Sequence, residues 1–103
     1  MVETQRVCPL TASDLLTDLP GIAAVVAGAD EYSSDVLTAP ETSGLKMVQR
    51  WGVGYDAVDI DAATAAGIVV GYLPGFLDDT VADYTWALLL SIARRIPWGQ
   101  DTM

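Results

Sequence analysis

The feature that most constrains the fold of this 103-residue chain is the alternation of short strand-like runs with segments that carry helix signals. The runs cover residues 22–27, 45–50 and 68–70, and the first of them is apolar throughout. A continuous apolar run is typical of a strand in a parallel sheet that helices cover on both faces. The sequence therefore predicts an α/β domain with a parallel sheet and flanking helices.

Helices are predicted before the first run, between the runs and after the last one: residues 11–19, 34–39, 59–66 and 80–96. The first helix begins at Thr11 or Ser13 and the third at Asp59 or Asp61, because these short polar side chains cap helix N-termini. Pro97 is expected to end the last helix, since proline cannot continue one. No linker long enough to separate two domains interrupts this order.

Composition excludes several kinds of chemistry. The chain has no histidine and one cysteine, Cys8, which excludes an imidazole base and predicts no metal site. The formal charge is −9 with only five basic residues, so neither a nucleic acid nor an anionic membrane is expected as a partner. The N-terminus lacks the apolar core of a signal peptide, and we expect a cytoplasmic protein.

Two glycines, Gly52 and Gly54, lie directly after the second predicted strand. This spacing occurs in dinucleotide-binding loops, but those also need an acid at the end of the next strand, where this chain has Tyr72. Three alternatives stay open, and the first is that the loop binds a nucleotide. The amides of Val53 and Gly54 can bind a small carboxylate with Arg50 as a charge partner, or the loop is only a tight turn.

Pairs of aspartates flank the predicted helix starts. Asp56 and Asp59 are expected to cap the third helix, and a metal or acid–base pair is the alternative. Asp78 and Asp79 precede the last helix, where negative charge is favourable.

The predicted helix 80–96 is apolar nearly all round, in a chain whose hydrophobic fraction is 51%. A helix without a polar face is buried in a larger body. We expect a second subunit or another domain to cover one face of this helix. The alternative is that it is an ordinary core helix.

The stretch from Leu45 to Asp59, with Gly52-Val53-Gly54 at its centre, resembles the signature of NAD-dependent D-2-hydroxyacid dehydrogenases of the phosphoglycerate dehydrogenase-like group. Further motifs at residues 74–75, 80–83 and 87–95 keep the order and spacing of that family. The similarity runs from about residue 19 to residue 98 and is strongest over 45–96.

The resemblance implies an oxidoreductase domain that binds a small 2-hydroxy or 2-keto acid on a flavodoxin-like parallel sheet. Val53 and Gly54 would hold the substrate carboxylate through their amides, with Arg50 beside it. Val81 would face the nicotinamide, and helix 80–96 would form a homodimer interface. A bulky side chain at Gly54 is expected to strain the turn and to obstruct the carboxylate.

The family's nucleotide-binding domain, with the catalytic arginine, glutamate and histidine, has no counterpart within residues 1–103. The resemblance therefore implies a truncated substrate-binding domain with no catalytic residue of its own and no activity alone. NAD or NADP would bind the intact parent enzyme rather than this chain. The opening strand of the family is missing or reduced to residues 5–8. The alternative function is a non-catalytic interaction module that dimerises through the apolar helix.

Overall fold

A computed structural model describes residues 9–100, so the strand expected near residues 5–8 lies outside the described residues. Three strands alternate with helices, as predicted. The elements are α1 (Ala12–Asp18), β1 (Ala24–Ala27), α2 (Ser34–Leu37), a 3-10 turn (Pro40–Thr42), β2 (Met47–Arg50), α3 (Ile60–Ala65), β3 (Val69–Gly71), α4 (Asp78–Ala93) and α5 (Ile96–Gln100).

The sheet has the order β1-β2-β3, and both strand pairs are parallel. In its register Val25 lies beside Val48, and Val48 beside Val70. Parallel neighbours require a crossover connection, which α2 with the 3-10 turn and α3 supply in turn. The predicted α/β class with a parallel sheet is confirmed.

Within residues 9–100, only one face of this sheet is covered, which corrects the expectation drawn from the apolar run 22–27. Val48 is fully buried and packs in a core with residues of α1, α2 and α3, such as Leu15 and Val36. On the opposite face Val26 is 69% exposed and Val69 is 63% exposed. The sequence determines that this strand face is apolar. The face is covered only where a further element packs against it.

Side-chain caps fix where two helices begin, and they settle the choices that the sequence left open. Thr11 caps α1 and forms a capping box with Asp14, whose carboxylate accepts from the Thr11 amide at 3.1 Å. Asp59 caps α3 by accepting from the Ala62 amide at 2.9 Å. Gly67 follows α3 with a φ of +70°, the left-handed conformation in which helices commonly end.

The long helix differs from its prediction at both ends. It begins at Asp78, which places both aspartates within its first turn, and it ends at Ala93. The break lies at Arg95, whose φ is +53°. Pro97 sits inside the first turn of α5, where its missing N–H costs nothing, and so it does not end the helix.

The helix α4 buries none of its residues within residues 9–100. Its apolar side chains are exposed on every side, and Leu88, at 48%, is among the less exposed of them. No helix in the part of the chain that the structure describes is long and apolar enough to cross a membrane.

Tyr32 is the largest fully buried side chain of the core. Burial raises the pKa of its hydroxyl above the usual range, the Asp30 carboxylate raises it further, and the Arg50 guanidinium lowers it. Up to about pH 10 Tyr32 is neutral in the folded and the unfolded chain alike, so stability does not depend on its ionisation. Above about pH 10 only the unfolded chain releases the proton, and the free energy of unfolding falls by up to about 1.4 kcal/mol per pH unit.

We predict that Tyr32→Phe removes the loss of stability above about pH 10 that comes from ionisation of Tyr32 in the unfolded chain. Urea unfolding at about pH 8 and about pH 11 measures it, and the variant is expected to lose less stability between the two than the unmodified chain. Equal losses in the two proteins would contradict the account of Tyr32.

Candidate functional site

The glycine loop, which we define as residues 51–57, leaves the carboxyl end of β2 between the carboxyl ends of the two neighbouring strands. The Trp51 amide donates to the Ala27 carbonyl of β1 at 2.9 Å. On the other side the Leu73 amide, just after β3, donates to the Gly52 carbonyl at 3.0 Å. The loop is thus tied to both neighbours at the sheet edge where open α/β folds bind ligands.

The amides of Val53 and Gly54 donate no hydrogen bond to any group of residues 9–100. Both residues are exposed, Val53 by 40%, so their N–H groups are accessible to a ligand. Successive free amides in a turn are a recurrent anion-binding arrangement. The structure therefore offers the two donors that the sequence predicted for a carboxylate.

The backbone strain of the loop lies at Gly52 rather than at Gly54, contrary to expectation. Gly52 has a φ of +159°, which side-chain-bearing residues rarely adopt. Gly54 does not have such a φ, and a Cβ there would meet the Asp56 carboxylate at 3.5 Å, an ordinary contact. A side chain at Gly54 would thus act by occupying space at the loop, because the backbone there suits any residue.

Arg50, at the last position of β2, holds the loop to β1. Its Nε donates to the Gly54 carbonyl at 2.8 Å, and its Nη1 donates to the carbonyls of Ala27, at 3.0 Å, and Gly28. The sequence predicted this guanidinium as a charge partner of a bound carboxylate. The structure shows it engaged with a backbone carbonyl of the loop and with two at the end of β1, which makes it a positioning residue for Gly54.

Asp30 completes this arrangement and was missed by sequence reasoning. It is 5% exposed, and its carboxylate accepts from the amides of Leu10 and Gly28, each at 2.9 Å. Gly28 is therefore held by Asp30 through its amide and by Arg50 through its carbonyl. The available signal was the Gly28-Ala29-Asp30 segment directly after a strand, since an aspartate in a turn bonds to nearby backbone amides.

Two edge-to-face aromatic pairs join the glycine loop to the segment after β3. The rings of Trp51 and Phe76 are 6.5 Å apart at 60°, and those of Tyr55 and Tyr72 are 5.3 Å apart at 66°. Trp51 and Phe76 are 69% and 65% exposed. Such pairs add stability beyond their buried area, so they help to fix the two loops against each other.

The other residues that the sequence predicted for a site lie outside the glycine loop. Val81 lies in α4, near its start, with 57% of its side chain exposed. Asp59 caps α3, so its carboxylate is already engaged, as expected. Within residues 9–100, no three carboxylates or other metal-binding side chains come together in a way that could hold an ion.

Comparisons with known proteins match this fold and loop to one family. The model of the D-isomer specific 2-hydroxyacid dehydrogenase catalytic domain matches residues 1–95. Glyoxylate reductase of Thermococcus litoralis is 52% identical over 52 residues, which are 50% of this chain and 16% of that protein. D-3-phosphoglycerate dehydrogenase of Archaeoglobus fulgidus is 36% identical over 89 residues, which are 85% of this chain and 16% of that protein.

A solved structure shows the same relation in three dimensions. A protein of Thermus thermophilus superposes with a TM-score of 0.82 at 34% identity, over 96% of this chain and 31% of its own. The chain thus spans only a small part of the length of the relatives it matches. From the family match over residues 1–95, this chain belongs to the D-isomer specific 2-hydroxyacid dehydrogenases and corresponds to their catalytic domain.

Proposed function

We propose that this chain is the substrate-binding part of an NAD-dependent oxidoreductase that interconverts a small D-2-hydroxy acid and its 2-keto acid. The observation that carries the proposal is the pair of free amides at Val53 and Gly54, on a loop fixed at the ligand-binding edge of the sheet. These amides receive the substrate carboxylate. Arg50 acts through the loop, since its hydrogen bonds go to backbone carbonyls.

The carboxylate site is electrostatically mixed. The Arg50 guanidinium lies 3.5 Å from the position of a Cβ on Gly52, and the Asp56 carboxylate lies 3.5 Å from that of a Cβ on Gly54. Arg50 and Asp56 thus place one positive and one negative group beside the two glycines of the loop. Two amide donors with one nearby cation suit a single carboxylate group.

We place the nicotinamide of NAD or NADP against Val81 in the whole protein, where the cofactor supplies or accepts the hydride. The residues of this chain do not fit its pyrophosphate. A dinucleotide loop leads directly into a helix, whereas α3 begins only at Ile60, and Asp56 and Asp59 add negative charge in between. We expect no turnover from the 103 residues alone, because the catalytic acid, base and arginine of the family have no counterpart among them.

A second candidate function is a non-catalytic module that dimerises through α4. The observation that favours it is the helix itself, whose apolar side chains are exposed all round. The two functions share a homodimer interface at this helix, and they differ in whether the glycine loop supports turnover in a complete enzyme.

Grafting residues 45–96 into Thermococcus litoralis glyoxylate reductase, in place of the matching segment, tests the enzymatic proposal. We expect the chimaera to reduce glyoxylate with its nicotinamide cofactor at no less than about a tenth of the parental kcat/KM, a loss of about 1.4 kcal/mol. The same chimaera with Gly54→Val is expected to lose most of that activity. A folded chimaera without activity, beside an active parent, would favour the interaction module.

A further inference from the structure

The loops at the carboxyl edge of the sheet carry few positive charges that could bind a second anionic group of the substrate. Among residues 9–100 the basic side chains are Lys46, Arg50, Arg94 and Arg95. Lys46 precedes β2, at the opposite end of that strand from the glycine loop, and the two later arginines follow α4. The one cation at the loop, among these described residues, is Arg50, whose guanidinium donates to backbone carbonyls. A phosphate or a second carboxylate on the substrate would therefore meet no cation other than Arg50 among residues 9–100.

The same edge presents a large apolar surface. Trp51 directly precedes Gly52, and its ring packs edge-to-face on Phe76 from the segment after β3, so the pair spans the two loops. Both rings are exposed by more than half, and neither carries a hydroxyl, in contrast to the pair of Tyr55 and Tyr72. Exposed aromatic pairs beside a polar anchor are typical of sites in which a few polar groups orient a ligand and apolar walls bind it.

We propose that the substrate is a D-2-hydroxy monocarboxylate with an aromatic or other large apolar side chain, which packs on Trp51 and Phe76 while the carboxylate binds the amides of Val53 and Gly54. The proposal rests on the function proposed above and narrows its substrate class. From the residues of this part of the chain, we expect phosphorylated and dicarboxylic acids not to be the preferred substrates.

Binding of three stable 2-hydroxy acids to the 15N-labelled chain tests the proposal: D-phenyllactate, D-lactate and D-malate. Amide shifts of Val53 and Gly54 report the carboxylate, and the indole N–H of Trp51 reports the side chain. We expect the Kd of D-phenyllactate to be lower than that of D-lactate by at least about tenfold, because the phenyl ring leaves water. D-malate is expected to bind no more tightly than D-lactate.

Three variants separate this surface from other aromatic residues. Trp51→Ala and Phe76→Ala should each remove most of the preference for D-phenyllactate over D-lactate. Tyr72→Ala, in the other aromatic pair, should keep the preference. Both members of the proposed pair are exposed, so truncating either one leaves the core intact.

The outcomes distinguish the two proposals. Equal binding of D-phenyllactate and D-lactate, or tighter binding of D-malate, with shifts at Val53 and Gly54, overturns the substrate class and leaves the carboxylate loop in place. Loss of the preference in Tyr72→Ala alone also overturns it. If none of the acids changes the chemical shifts of the Val53 and Gly54 amides, the loop does not bind carboxylates and the proposed function fails as well.

Discussion

Replacing Arg50 with methionine is expected to weaken binding of D-lactate to the 103-residue chain by at least about tenfold, although Arg50 does not touch the ligand in our account. The variant loses the hydrogen bonds from Nε to Gly54 and from Nη1 to Ala27 and Gly28. The planar guanidinium reaches a carbonyl of the loop and those at the end of β1 at once, which a lysine ammonium cannot do. Arg50→Lys should therefore restore the charge but not the affinity.

A readout in the absence of ligand separates positioning from direct binding. If Arg50 holds the loop, Arg50→Lys shifts the amides of Val53 and Gly54 before any acid is added. Lys46→Met removes a positive charge at the other end of β2 and should leave both the shifts and the Kd unchanged. Full affinity in Arg50→Lys, with unchanged loop amides in the free protein, would instead assign Arg50 to the carboxylate as a charge partner.

Placing a charge in the middle of α4 is expected to have the second large effect. Leu89 is 54% exposed, and no residue of α4 is buried within residues 9–100. Leu89→Glu should therefore change the free energy of unfolding of the monomer by no more than about 0.5 kcal/mol. In a dimer that packs this helix against its copy, the glutamate would be buried without a partner, and the dimer Kd should rise at least about a hundredfold.

Sedimentation velocity over a range of concentrations measures this association. Val26→Glu is the matched control, because Val26 is also apolar and exposed, at 69% against 54% for Leu89, but lies on the uncovered face of the sheet. It should leave the dimer intact. Two results would contradict a dimer through α4. One is a wild-type chain that stays monomeric up to about 100 μM. The other is a dimer that dissociates in Val26→Glu but not in Leu89→Glu.

Local signals in the sequence predicted much of this fold. Thr11 and Asp59 are helix caps because a short side-chain oxygen reaches the free amides of the first turn, a contact that spans only three residues. Gly67 follows α3 for an equally local reason, since glycine readily adopts the left-handed conformation there. The position of the glycine loop after β2 followed from the same kind of short-range pattern.

Features that depend on distant residues could not be predicted in this way. The open sheet face at Val26 depends on which elements pack on it, and an apolar run looks the same whether one face or two are covered. Two partners of Arg50 lie at the end of β1, more than twenty residues away along the chain, and spacing along the chain does not show them. The sequence predicted that Pro97 ends the long helix, because proline cannot continue one. The helix α4 ends at Ala93 instead, and Pro97 lies in the first turn of α5.

The central claim is that the amides of Val53 and Gly54 receive the carboxylate of a D-2-hydroxy acid. Titration of the 15N-labelled chain with D-lactate tests it most directly, together with Gly54→Val and with Gly44→Val as a control at an exposed glycine remote from the loop. We predict that the largest shifts occur at Val53 and Gly54, vanish in Gly54→Val and persist in Gly44→Val. Shifts centred elsewhere, or an unchanged Kd in Gly54→Val, would contradict the claim.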